Sequence, residues 1–70
     1  MLSPTQEKVM GMLGRKYIGY QQAPLESVEI NGAHMCNMST IRSLQKLGLV
    51  YEKERLQWAA TPIGRQYVLG

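Results

Sequence analysis

Aspartate is absent from this chain of 70 residues, and histidine and cysteine occur once each, at His34 and Cys36. Without Asp, neither a Ser-His-Asp triad nor an Asp-rich calcium loop can be assembled. A four-ligand zinc site would start from His34 and Cys36 and find no second Cys or His to continue it. A lone cysteine allows no disulfide within the chain, which suits a reducing compartment. No apolar run approaches the ~18–20 residues of a membrane helix. The start, Met1-Leu2-Ser3-Pro4, has neither the basic stretch nor the apolar stretch of a signal peptide. The expectation is a cytoplasmic protein that is not an enzyme and that needs no cofactor or metal.

What is present points to one folded unit. Seventy residues make a single domain, 1–70, near the lower limit for a chain that folds on its own core. Hydrophobic residues make up 44% of it, enough to argue against disorder. The formal net charge is +3, which tilts toward a polyanionic partner without proving one.

Ser3, Pro4 and Gln6 spell a helix start, with the Ser-x-x-Gln pattern of a capping box and proline in the first turn. At about 100° per residue, Val9, Met10, Leu13 and Tyr17 share one face, and Gly11 and Gly14 fall on the other. This predicts a first helix over residues 4–18, stopped by Gly19. Tyr20 to Ala23 reads as a connector with room for a residue or two of strand. Pro24 then opens a second helix with Leu25, Val28 and Ala33 inward. Asn31-Gly32 fits a hairpin turn between residues 27–30 and 33–35 equally well; the helix is preferred because of the elements that follow.

Asn37 suits an N-cap, and the helix it starts, residues 37–47, has a divided surface. Ile41, Leu44 and Gly48 share one face, with Ser39, Arg42, Ser43 and Lys46 opposite. After Gly48, residues 49–53 and 57–60 read as a hairpin with its turn near Glu54-Arg55, which would set Tyr51 opposite Trp58. Thr61-Pro62 starts a last short helix.

Three segments carry a resemblance: Asn37-Met38-Ser39-Thr40-Ile41-Arg42-Ser43-Leu44, then Leu47-Gly48-Leu49-Val50, then Thr61-Pro62-Ile63-Gly64-Arg65. Together they resemble the DNA-reading domain of MarR-like and PadR-like transcriptional regulators over about residues 24–69. The resemblance implies a mainly α fold, a winged helix-turn-helix with a three-helix core, a two-stranded wing and a short C-terminal helix. It also implies that helix 37–47 lies in the major groove of double-stranded DNA and that hairpin 49–60 touches the backbone. The small size suits a bacteriophage or prophage regulator, acting as a homodimer or by tandem binding.

Arg42 and Lys46 are the first candidates for DNA contact, since Arg can read guanine bidentately and both can pair with phosphate. Ser39, Thr40 and Ser43 can donate to phosphate oxygens near the helix N-terminus. Lys53 and Arg55 would sit at the wing tip, although Glu52 and Glu54 alternate with them. The bland reading of all seven is a solvated surface. Trp58, Tyr17 and Tyr51 read as core. The competing function is a winged-helix protein-interaction module, an adaptor or inhibitor of a larger complex. The acidic pair Glu26 and Glu29 favours it, because acids beside the DNA face would repel phosphate.

Overall fold

The computed structural model describes residues 2–22 and 26–69, the last by its backbone. Ser3 caps α1 (Pro4–Leu13), and the capping box is formed: Gln6 N–H donates to Ser3 Oγ at 3.2 Å, and Ser3 N–H donates to Gln6 Oε1 at 2.8 Å. The helix stops at Leu13, earlier than the expected residue 18. Lys16 takes a left-handed φ of 74°, which turns the chain away, and Tyr17 falls beyond the helix. Gly19 is the first residue of β1 (Gly19–Gln22), not the helix stop. A Cβ there would lie 3.0 Å from Val28 Cγ1.

The next two elements overturn the expected mainly α winged helix-turn-helix. Where a second helix was expected, the chain forms β2 (Ser27–Ile30) and β3 (Ala33–Asn37). Pro24 and Leu25, taken as the start of that helix, lie outside the described residues. The physical reason is the pair Asn31 and Gly32, with φ of 56° and 79°. Two successive positive φ values make the turn that matches the twist of a two-residue hairpin, and Asn-Gly supplies them at least strain. Val28 and Ile30 are buried between the partly exposed Ser27 and Glu29, a period of two that a helix cannot use.

After α2 (Met38–Lys46) come β4 (Val50–Glu54), β5 (Gln57–Ala60) and α3 (Pro62–Leu69). The five strands form one antiparallel sheet in the order β3-β2-β1-β5-β4. It is a sheet-dominated α+β fold, with no helix directly before α2 to complete a helix-turn-helix pair.

The helices contact one side of the sheet: α1 meets β3 and β5, α2 meets β3 and β4, and α3 meets β5. Val9, Met10 and Leu13 of α1 and Met38, Ile41 and Leu44 of α2 are buried against Val28, Ile30, Cys36, Val50 and Trp58 of the strands. Burial of each large side chain is worth about 1.5–3 kcal/mol, so this layer is the main source of stability. The other face of the sheet lies open. Tyr20 stands there on the central strand, paired with Glu29 on one side and Gln57 on the other.

The hairpin register also differs from expectation. Its turn is Arg55-Leu56, and Lys53 is an extra residue between the Glu52–Trp58 and Glu54–Gln57 pairs. Tyr51 therefore faces Ala59, not Trp58, and the two aromatic residues lie on opposite faces of the sheet. Trp58 is core, with its indole N–H donating to Gln21 Oε1 at 3.3 Å, whereas Tyr17 and Tyr51 are exposed.

Closure depends on the start of α3. Thr61 N–H donates to the Leu49 carbonyl at 3.0 Å and its hydroxyl donates to the Gly48 carbonyl at 2.6 Å. The same Oγ1 accepts from Gly64 N–H at 3.0 Å, capping the helix. Any Cβ at Gly64 would collide with the Leu49 carbonyl, while one at Gly11 would meet nothing within 4 Å. Gly64→Ala is therefore expected to lower stability by about 2 kcal/mol or more. Gly11→Ala, on α1, should raise it by up to ~1 kcal/mol. Urea denaturation of both variants checks the contrast, and equal effects would contradict the packing described.

Cys36 is buried opposite Val28, and burial pushes its thiol up to about 11. The folded chain thus holds this proton at pH values where the unfolded chain releases it. The thiol's contribution to stability is complete below its ordinary value of 9.0 and is lost as pH rises from there toward about 11. The readout is a difference between two chains. The alkaline fall in the urea midpoint should be shallower for Cys36→Ala than for the unaltered chain.

Candidate nucleic-acid interface

Helix α2 owes its orientation to its buried side. Met38, Ile41 and Leu44 are each at most 2% exposed, and they hold the helix against β3 and β4. Residues on the opposite arc then face out. Ser39, Arg42 and Lys46 are exposed, spaced so that they form one stripe along about 10 Å of helix. No acidic residue occurs in α2. Asn37 stands at the N-cap position but makes no side-chain capping bond.

Arg42 makes an ion pair with Glu26 at 3.3 Å, with 55% and 68% of the two side chains exposed. A pair this open is worth about 1 kcal/mol at most and exchanges readily with other partners. Glu26, Asn37, Met38, Ser39 and Arg42 line a shallow hollow of about 350 Å³ at the start of the helix. Glu26 is brought there by the backbone: Met38 N–H donates to its carbonyl at 2.8 Å, and its own φ is 49°. Glu29, the other acid set against a DNA reading, lies on the open sheet face beside Tyr20 and His34, away from the α2 stripe.

One of the predicted contacts, the Ser43 hydroxyl, is occupied inside the fold. Ser43 Oγ accepts from Gln6 Nε2 at 2.8 Å and donates to the Thr40 carbonyl at 2.7 Å, which ties α2 to α1. Both Ser43 and Thr40 are half-buried. Gln6 was read from the sequence only as a cap residue; no local pattern reveals a partner 37 positions away.

Lys53 and Arg55 are exposed, at the bulge and the turn of the β4–β5 hairpin. Gln21 N–H donates to the Leu56 carbonyl at 2.8 Å, and Gln21 pairs with Val28, which pairs with Cys36. This chain of contacts places the hairpin turn at the same end of the sheet as the start of α2. Strand spacing puts the two about 14–19 Å apart. The structure therefore brings Ser39, Arg42 and Lys46 together on one stripe, and sets Lys53 and Arg55 as a second basic group at the far corner.

Comparison with protein-family models, with curated proteins and with solved structures gives no match.

Ser43 and Ser39 thus divide by role. Ser43→Ala should lower stability by about 1–2 kcal/mol through the loss of two hydrogen bonds, whereas Ser39→Ala should change it by less than about 0.5 kcal/mol. Chemical denaturation of the two variants decides this, and equal effects would contradict the α1–α2 tie.

Proposed function

We propose that this chain binds double-stranded DNA and acts as a small transcriptional regulator, with the α2 stripe turned to the major groove. The observation that carries the reading is the stripe itself: Ser39, Arg42 and Lys46 exposed in line on a helix that bears no acid. A helix of nine residues is about 13 Å long, comparable with the ~12 Å width of the major groove. Arg42 would exchange Glu26 for a phosphate or a guanine edge, and Lys46 would pair with phosphate. Lys53 and Arg55, about 14–19 Å from the start of α2, suit the neighbouring backbone. Regulation would be steric, by occupying the site that polymerase needs. The sheet, and not a preceding helix, is what presents α2 in this arrangement.

A protein-interaction module is the second reading, and one observation favours it. Tyr20 and Tyr51 are 47% and 41% exposed on the open sheet face, with Gln57 and Ala59 between them. Exposed tyrosines among amides are characteristic of protein-binding surfaces.

Fluorescence anisotropy of a labelled random-sequence duplex separates the two. Micromolar binding at low salt that weakens as salt rises is expected from phosphate contacts. The double variant Arg42→Ala/Lys46→Ala should lose at least tenfold in affinity, and Glu26→Gln should gain several-fold by removing the acid at the stripe. No binding by the unaltered chain at low salt would overturn the reading.

A further inference from the structure

Glu26 belongs to the turn before β2, yet it stands at the start of α2. Its carbonyl accepts from the N–H of Met38, the first residue of that helix. Its φ of 49° is left-handed, a conformation that glycine or asparagine takes with less strain. The fold therefore holds this side chain in one place at some cost, and a carboxylate there adds nothing to phosphate binding. Its contact with Arg42 is single, from Arg42 Nη2 to Glu26 Oε1 at 3.3 Å. That is longer than the ~2.7–2.9 Å of a tight charged pair. A guanidinium carries several N–H donors and a carboxylate several lone pairs, so one contact leaves most of both free. The hollow thus presents a fork of donors and, 3.3 Å beside it, a group that only accepts.

We propose that Arg42 and Glu26 together read one G·C base pair, Arg42 taking the guanine and Glu26 the paired cytosine. The inference rests on the DNA reading of α2 and gives that reading a specificity. In the major groove a G·C pair shows guanine N7 and O6, both acceptors, and then the cytosine N4 amine, a donor. O6 and N4 are partners in one hydrogen bond, so they stand about 3 Å apart. The donor fork and the carboxylate match that order and that spacing. An A·T pair in the same place would set the adenine N6 amine against the guanidinium and thymine O4 against the carboxylate, donor on donor and acceptor on acceptor. Glu26 therefore acts in two ways. On an arbitrary duplex it holds Arg42 back from phosphate. At the matching base pair it stays beside Arg42 and accepts from cytosine.

Selection of binding sites from a randomised duplex library by the full chain, followed by anisotropy on the selected site, tests this. The site should contain a G·C pair that A·T cannot replace without a loss of about tenfold in affinity. Glu26→Gln should bind a random duplex more tightly than the unaltered chain and yet discriminate several-fold less at that pair. A cytosine analogue without the exocyclic amine isolates the contact. Placed opposite the guanine, it should cost the unaltered chain about tenfold and cost Glu26→Ala little. Equal losses in the two chains, or a base preference that survives Glu26→Gln unchanged, would overturn the inference and leave the DNA reading standing. No binding of the unaltered chain to any duplex would overturn both.

Discussion

The hydroxyl of Thr61 makes the bond on which the rest of the arrangement depends. It reaches back 13 residues to the Gly48 carbonyl and at the same time caps α3 through Gly64 N–H. Three elements are fixed by that one side chain: the end of α2, the start of β4 and the first turn of α3. Glycine at 64 lets the helix lie directly on the Leu49 backbone, and glycine at 48 supplies the left-handed φ of 78° that turns α2 into β4. With this junction closed, α2 has one possible inner face. The stripe of Ser39, Arg42 and Lys46 faces outward because Met38, Ile41 and Leu44 cannot.

The same junction explains what the sequence revealed and what it did not. Gly48, Leu49, Thr61 and Gly64 were among the residues that carried the likeness to winged-helix regulators, beside the segment 37–44. In the structure these residues serve the closure of a hairpin by a helix, which a sheet fold needs as much as a helical one. The likeness therefore described α2 and the junction and carried no information on residues 27–36. There the local chemistry was legible but divided. Asn31-Gly32 allowed a hairpin, and the preference for a helix was borrowed from the element order of the resembling family. The β-branched Val28 and Ile30, alternating with Ser27 and Glu29, favoured the strand on physical grounds alone.

Three local signals held where the partners were near in sequence. The capping box of Ser3 and Gln6, the helix after Asn37 and the start of α3 at Thr61 all involve residues at most four apart. The site residues divide the same way. The exposure of Arg42 and Lys46 follows from helical period, but the loss of Ser43 to Gln6 depends on how α1 lies across α2. Tyr17 and Tyr51 were read as core because an aromatic side chain usually is. Their exposure follows from the early end of α1 and from the extra residue Lys53 in β4, which turned Tyr51 onto the open face. Neither can be read before the strand order is known.

The account rests on α2, not the open sheet face, being the surface that meets DNA. Titration of the isotopically labelled chain with a short duplex, followed by amide chemical shifts, addresses this residue by residue. The account expects the largest changes at Ser39, Arg42 and Lys46, smaller ones at Lys53 and Arg55, and little at Tyr20 and Gln57. Changes concentrated on Tyr20, Tyr51 and Gln57, with α2 unmoved, would contradict it and place recognition on the opposite side of the sheet.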